Sequence, residues 1–282
     1  MINWKKKNQE EVLEEKEAYG VPYLTFSLLN LLPMVKHAFS TRLGGVSRGE
    51  FASMNFITAR GDTQEAVNAN YEIMSKVLET PREQMVAAYQ MHTTNVRKVG
   101  QEDAGKGIVY PRDYRDVDGL ITNVPGLMLV TFYADCIPLY LVDVKNKAIG
   151  LSHAGWRGTV NNMAKNTIKA MQEAYDTKPE NLFVAIGPGI CSDCYEVNEE
   201  LADEFKKIFP DNYQRIVQYN SKGNYFLDLC EANAQQFLDL AVPKSQIALS
   251  NICTCCNAKY LFSHRASAGK RGNMAAFLSL TI

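Results

Sequence analysis

Apolar and polar positions switch repeatedly between a period of two and a period near 3.6, and the switches predict the elements. Residues 134–159 are the clearest stretch. Two apolar runs, 137–144 and 148–151, flank the polar turn Lys145-Asn146-Lys147, which predicts a β-hairpin. Pro138 has no N–H to donate, so the first strand is predicted to begin after it. Residues 127–133 and 182–186 are near-continuous apolar runs, as expected of strands covered on both faces. Residues 35–40 alternate as a strand does, and 85–92 read as a buried strand running out at His92 with 96–99 as its partner. Residues 247–253 and 274–282 complete the strands. Helical spacing links Val67, Tyr71, Met74, Val77 and Leu78 behind the capping signal Asp62-Thr-Gln-Glu65, with Pro81 closing that helix. A second stripe joins Val160, Met163, Ala164, Thr167, Ile168, Met171 and Tyr175. Further helices are predicted over 198–209 and from the Asp228 cap to about 240. Residues 5–19, rich in Lys and Glu, read as a solvated helix or loose arm. The pattern predicts an α/β protein, mixed α+β and sandwich-like, with an N-terminal arm over 1–30 and a single domain over 31–282.

Composition narrows the function class. The 282 residues are 46% hydrophobic with a formal net charge of −1, enough for a full core and too neutral to favour nucleic acid or an anionic membrane. The N-terminus lacks the apolar stretch of a signal peptide, and no apolar run approaches the ~20 residues of a membrane span. Seven cysteines, an odd number, fit a reducing cytosol better than a disulfide framework. The expectation is a cytoplasmic protein; the oligomeric state is not legible.

The hairpin also carries the chemistry. Cys136 precedes one strand and His153 follows the other, so antiparallel pairing brings thiol and imidazole together. His92, at a predicted strand exit, is the third candidate. One thiolate and two imidazoles suit a catalytic zinc with an open fourth position. Their spacings, forty-four and seventeen residues, form no metal motif. A Cys136/His153 nucleophilic dyad without metal is the alternative, and a buried thiol with two satisfied histidines is the bland one. Ala154-Gly-Trp-Arg-Gly158 opens a helix beside His153 and adds the Arg157 guanidinium, an anion-binding pattern. The loop over 40–49, with Arg42 and Gly44 among hydroxyls and glycines, could cradle an oxyanion through its N–H groups. Arg42, Arg157, Arg265 and Arg271 each lie within two residues of glycine, serine or histidine, which makes a phosphate-sized site plausible. His37 reads as structural. A Cys-x-x-Cys at 191 and 194 facing a Cys-x-Cys at 253 and 255 admits a four-cysteine zinc site, but without a zinc-ribbon context these thiols, with Cys256, read as structural.

Several motifs together resemble one family. They are Phe39-Ser-Thr-Arg-Leu-Gly-Gly-Val-Ser47, Gln90-Met-His-Thr-Thr-Asn-Val96, Asp118-Gly119, Ala134-Asp-Cys-Ile-Pro138, His153-Ala-Gly-Trp-Arg-Gly158, Ile186-Gly-Pro188, Cys194-Tyr-Glu-Val197 and Phe262-Ser-His-Arg265. From about residue 35 to the C-terminus the chain resembles the YfiH/YlmD family, long described as polyphenol oxidase or laccase-domain proteins. It departs at the loop Gly-Ile-Cys-Ser-Asp before Cys194, and at Gly-Lys-Arg-Gly-Asn, where a tighter Gly-Arg is usual. The resemblance implies a fold like the catalytic domain of cytotoxic necrotizing factor, a cysteine-hydrolase fold with a central Cys-His pair. It implies zinc at His92, Cys136 and His153, in preference to copper, and a substrate-side asparagine falling on Asn55. It also implies phosphorolysis of adenosine, inosine, guanosine or methylthioadenosine, and deamination of adenosine. Arg42, Gly44, Asn55, Arg157 and Arg265 are then the candidates for holding substrate or phosphate, and Asp135 a candidate proton donor. A metal-free Cys/His hydrolase or deamidase and a single-metal copper polyphenol oxidase are the alternatives. The chain has four histidines, His37, His92, His153 and His264, too few for a multicopper centre.

Overall fold

The computed structural model describes residues 2–281. In chain order the strands are β1 (Leu13–Ala18), β2 (Val21–Phe26), β3 (Val35–Ser40), β4 (Met85–Ala87), β5 (Val96–Lys98), β6 (Gly119–Thr122), β7 (Met128–Tyr133), β8 (Ile137–Asp143), β9 (Ala148–Ala154), β10 (Leu182–Ile186), β11 (Glu196–Val197), β12 (Val217–Tyr219), β13 (Tyr225–Leu227), β14 (Ile247–Leu249) and β15 (Met274–Leu280). The helices are α1 (Ser27–Asn30), α2 (Gln64–Val77), α3 (Trp156–Val160), α4 (Met163–Tyr175), α5 (Glu199–Ile208), α6 (Tyr213–Ile216) and α7 (Leu229–Asp239).

Two six-stranded sheets, ordered β1-β2-β3-β15-β7-β4 and β14-β10-β8-β9-β6-β5, pack face to face. Leu24, Phe39, Leu129 and Leu278 of the first meet Tyr140, Val142, Ile149 and Leu151 of the second in the central core. The outer face of the first sheet carries Ala38, Val130 and Phe277 against Val67, Tyr71 and Met74 of α2. Leu139, Leu141 and Ala148 on the outer face of the second meet Met163 and Ile168 of α4 and Phe237 of α7. Each sheet is thus covered on both sides, which is why the central strands read as unbroken apolar runs. The result is a mixed α/β single domain of the kind the sequence predicts.

Some boundaries differ from the sequence expectations. The stretch read as a loose arm holds β1 and β2, which pair antiparallel and extend the first sheet from β3. Only one face of this edge is apolar, so its outward Lys and Glu hid the strand. Pro138 lies inside β8, opposite His153. Residues 85–92 do not run as one strand. β4 ends at Ala87, and β5 pairs in parallel with β6 in the other sheet. The long predicted helix breaks at Asn162, whose left-handed backbone (φ 59°) separates α3 from α4. Thr63, not Asp62, caps α2, accepting from the Ala66 N–H.

Candidate active site

Twice the chain leaves the first sheet for the second at one end of the sandwich. The segment from β4 to β5 carries His92, and the link from β7 to β8 is Ala134-Asp135-Cys136. β9 pairs with β8 so that Ile137 lies opposite Ala154, which returns His153 to the same end. The side-chain donor atoms of His92, Cys136 and His153 all lie within 4.8 Å of one another. Cys136 Sγ is 4.0 Å from His92 Nε2, and the two imidazole rings stand edge to face with centroids 4.9 Å apart. Gly155 sits against this cluster. A Cβ there would lie 3.0 Å from Cys136 Sγ and 3.2 Å from His92 Cδ2, so the absent side chain is what lets the donors converge.

Asp118 organises the group from beneath. Fully buried, it meets His153 Nδ1 at 2.8 Å and accepts the backbone N–H groups of Met91, His92 and Thr93 at 2.8–3.1 Å. Those bonds hold His92 in a left-handed turn (φ 62°), which aims its ring at Cys136. Burial pushes the Asp118 carboxyl up, but His153 and the N–H donors outweigh it and hold it below the usual range. Burial likewise opposes charge at Cys136 and His153. The facing imidazoles nevertheless bring the thiol down to about 6, and the thiol together with Asp118 lifts His153 to about 9. With Nδ1 engaged by Asp118, His153 has Nε2 free for a metal, the carboxylate–histidine arrangement that orients metal-binding imidazoles.

The cluster lines a cavity of about 620 Å³, and His92 and Cys136 also line a second of about 350 Å³, each within the size of small-molecule sites. Phe56, Tyr71, Tyr89 and Phe132 wall the larger. Trp156, Arg157, Tyr195, His264 and Arg265 line the smaller. Arg60 and Arg271 line both. Arg271 is 8% exposed, yet its Nε has no hydrogen-bond partner. Burial, then the neighbouring Arg60, lowers its pKa to about 10. Neither guanidinium is paired with a carboxylate among the described residues.

The other sequence-predicted residues divide. Arg157 and Arg265 reach the smaller cavity. Arg265 donates to the carbonyls of Cys194 and Glu196, and Arg157 lies 4.4 Å over the Trp156 ring. Asp135 also borders it, but Oδ1 accepts the Thr254 hydroxyl and Oδ2 the Arg265 N–H. Asn55 is behind the wall, accepting from the Asn273 N–H and donating to Asp62 and Ile57. Arg42 and Gly44 do not reach either cavity. Arg42 donates to the carbonyls of Ala52 and Ala258 and stacks 4.5 Å from the Phe262 ring. The loop that looked like an oxyanion cradle has its N–H groups at Leu43, Gly45 and Val46 already taken by Thr41, Ser53 and Asn70. It is a packed structural turn. Sequence reasoning passed over Arg60, which lies in an ordinary Ala-Arg-Gly-Asp context, and named Asp118 only within the Asp118-Gly119 motif. A prediction that His153 needs a carboxylate partner would have found the latter.

Multicopper chemistry lacks its ligands here. His37 is in the core, its Nε2 accepting the Phe26 N–H at 2.7 Å, and the metal-capable clusters of the described residues contain at most two histidines. One thiolate and two imidazoles fit a single borderline ion such as zinc.

Residues 36–281 match the family described as multi-copper polyphenol oxidoreductase laccase. Purine nucleoside phosphorylase YlmD of Geobacillus stearothermophilus is 37% identical over 240 residues, 85% of this chain and 88% of its own length. Adenosine deaminase RL5, from an unknown prokaryotic organism, is 30% identical over 230 residues, 81% of this chain and 87% of its own. The crystal structure of YlmD from G. stearothermophilus shares the fold with a TM-score of 0.88 at 33% identity, over 97% of this chain and 100% of that one. No helix of the described residues is long and apolar enough to cross a membrane.

Proposed function

Because the chain belongs to the family described as multi-copper polyphenol oxidoreductase laccase, with relatives named for purine nucleoside chemistry, we propose that it is a zinc-dependent purine nucleoside enzyme. It phosphorolyses adenosine, inosine, guanosine or methylthioadenosine and deaminates adenosine. The observation that carries this reading is the convergence of His92, Cys136 and His153 with Arg60 and Arg271 on the lining of the larger cavity.

His92, Cys136 and His153 are the residues that would hold the ion. Zinc, when bound there, supplies Lewis acidity and lowers the pKa of water toward ~7. Everything else is work for the chain's own side chains. The aromatic wall of the larger cavity suits a purine ring, which stacks on such faces. Arg60 and Arg271 give phosphate two guanidiniums in the lining that both cavities share, where it meets ribose C1′. Arg42 plays no part in this. Asp135, with both oxygens accepting, positions Arg265 rather than donating a proton. Adenosine should yield inosine in phosphate-free buffer, and adenine with ribose 1-phosphate when phosphate is present. Turnover of phenolic dyes with none of any nucleoside overturns the proposal.

One observation favours a second reading. A thiol held near 6 against an imidazole held near 9, with Asp118 behind it, is also a Cys-His-Asp hydrolase arrangement. Purified protein free of metal, with Cys136 stoichiometrically alkylated, would select it.

A further inference from the structure

A second cluster of metal-capable side chains lies outside the site just described. β10 and β14 are parallel neighbours with Ile186 beside Leu249, so their C-terminal ends feed two loops that run side by side, bridged at Gly189 and Cys253. One loop carries Cys191 and Cys194, the other Cys253 and Cys256. The four Sγ atoms all lie within 4.8 Å of one another. Cys256, not Cys255, completes the group, so the true spacing is Cys-x-x-Cys facing Cys-x-x-Cys.

The geometry points to a structural tetrathiolate zinc site at Cys191, Cys194, Cys253 and Cys256. Four sulfurs ~2.3 Å from a tetrahedral zinc stand ~3.8 Å apart along each edge. The Cys194–Cys256 and Cys191–Cys256 separations are 3.5 and 3.9 Å, on either side of that value. Two backbone N–H groups, of Cys191 and Cys256, point at Cys253 Sγ from 3.2 and 3.4 Å. Donors aimed at a sulfur suit a thiolate far better than a thiol. Cys191 and Cys253 are 3% exposed and Cys194 and Cys256 half-buried, as befits a closed site without an open ligand position. Binding a divalent zinc as four thiolates releases the thiol protons to solvent.

The site braces the catalytic end of the sandwich. Thr254, between the second cysteine pair, donates to Asp135 Oδ1 at 2.6 Å, and the Ile190 N–H donates to the Asp135 carbonyl. Cys194 offers its carbonyl to Arg265. Tying the two loops together therefore fixes the residue before Cys136 and the Arg265 side of the smaller cavity.

The test uses the full chain with His92→Ala and Cys136→Ser combined, which removes the first donor set. It should retain about one zinc per chain, with a zinc-edge X-ray absorption shell of about four sulfurs at ~2.3 Å. Wild-type protein should hold two ions and Cys194→Ser one fewer. Should Cys194→Ser fail to fold, native-state alkylation of wild-type protein decides, with Cys191 and Cys253 protected until a strong chelator is added. A folded double variant without zinc, or a Cys194–Cys256 disulfide in freshly isolated protein, overturns the proposal. A single wild-type ion with mixed nitrogen and sulfur ligation would sink this site while sparing the active-site reading. One with sulfur alone would do the reverse.

Discussion

His153 Nδ1 lies 2.8 Å from Asp118 Oδ1, and that carboxylate also gathers the backbone N–H groups that bend the chain at His92. One buried acid therefore sets both the tautomer of one imidazole and the direction of another. Asp118→Asn keeps the shape but loses the charge and the acceptor fixed toward Nδ1–H. Zinc affinity should fall by roughly ten- to a hundredfold, as when such orienting carboxylates are removed. Competition with a calibrated chelator measures it; unchanged affinity would leave Asp118 a purely structural role.

Gly155→Ala tests the convergence of the donors. The backbone there is an ordinary negative-φ conformation (φ −75°), so alanine brings no backbone strain. Its methyl would press on Cys136 Sγ and His92. Metal occupancy and turnover should drop while the thermal midpoint stays near that of the parent protein. A variant with full zinc and full activity would show that these side chains yield freely.

Arg271→Met and Arg42→Met should separate anion binding from architecture. Losing one charge-assisted bond of ~1.5–3 kcal/mol predicts a rise in the KM for phosphate of roughly ten- to a hundredfold for Arg271→Met. Deamination, which uses no phosphate, should change much less. Arg42→Met should leave that KM alone and lower stability, because the carbonyls of Ala52 and Ala258 lose their donor. The opposite pattern in phosphorolysis kinetics would return phosphate to Arg42.

His37 gives a pH dependence of stability. Burial holds it at about 4, below its ordinary 6.5, and its Nε2 must stay unprotonated to accept the Phe26 N–H. The folded value lies below the unfolded one, so the contribution is complete above pH ~6.5 and is lost as pH falls toward 4. A gap of this size corresponds to roughly 3 kcal/mol across that window. Denaturant unfolding at pH 7 and at pH 4 measures the loss, and His37→Gln should flatten it. Equal pH slopes in both proteins would exclude His37 as the source.

Local pattern alone determined a good deal of this protein. The hairpin of β8 and β9 follows from two apolar runs around a polar turn, and antiparallel pairing then obliges Cys136 and His153 to meet. The faces of α2 and α4 follow from 3.6-residue spacing, because burial of one stripe is a local constraint. His92 reached the same site only through tertiary structure, by a crossing between sheets whose partner strands lie far apart in sequence. The same holds for the four sulfurs, whose meeting depends on the register of β10 against β14, and for Asp118, which works through groups on two other segments. Arg42 marks the limit most clearly. Its glycine-rich setting promised an anion, but whether a guanidinium is free depends on which carbonyls the folded chain brings to it. Periodicity records which face a residue buries; only the packed chain decides which polar groups are left without a partner.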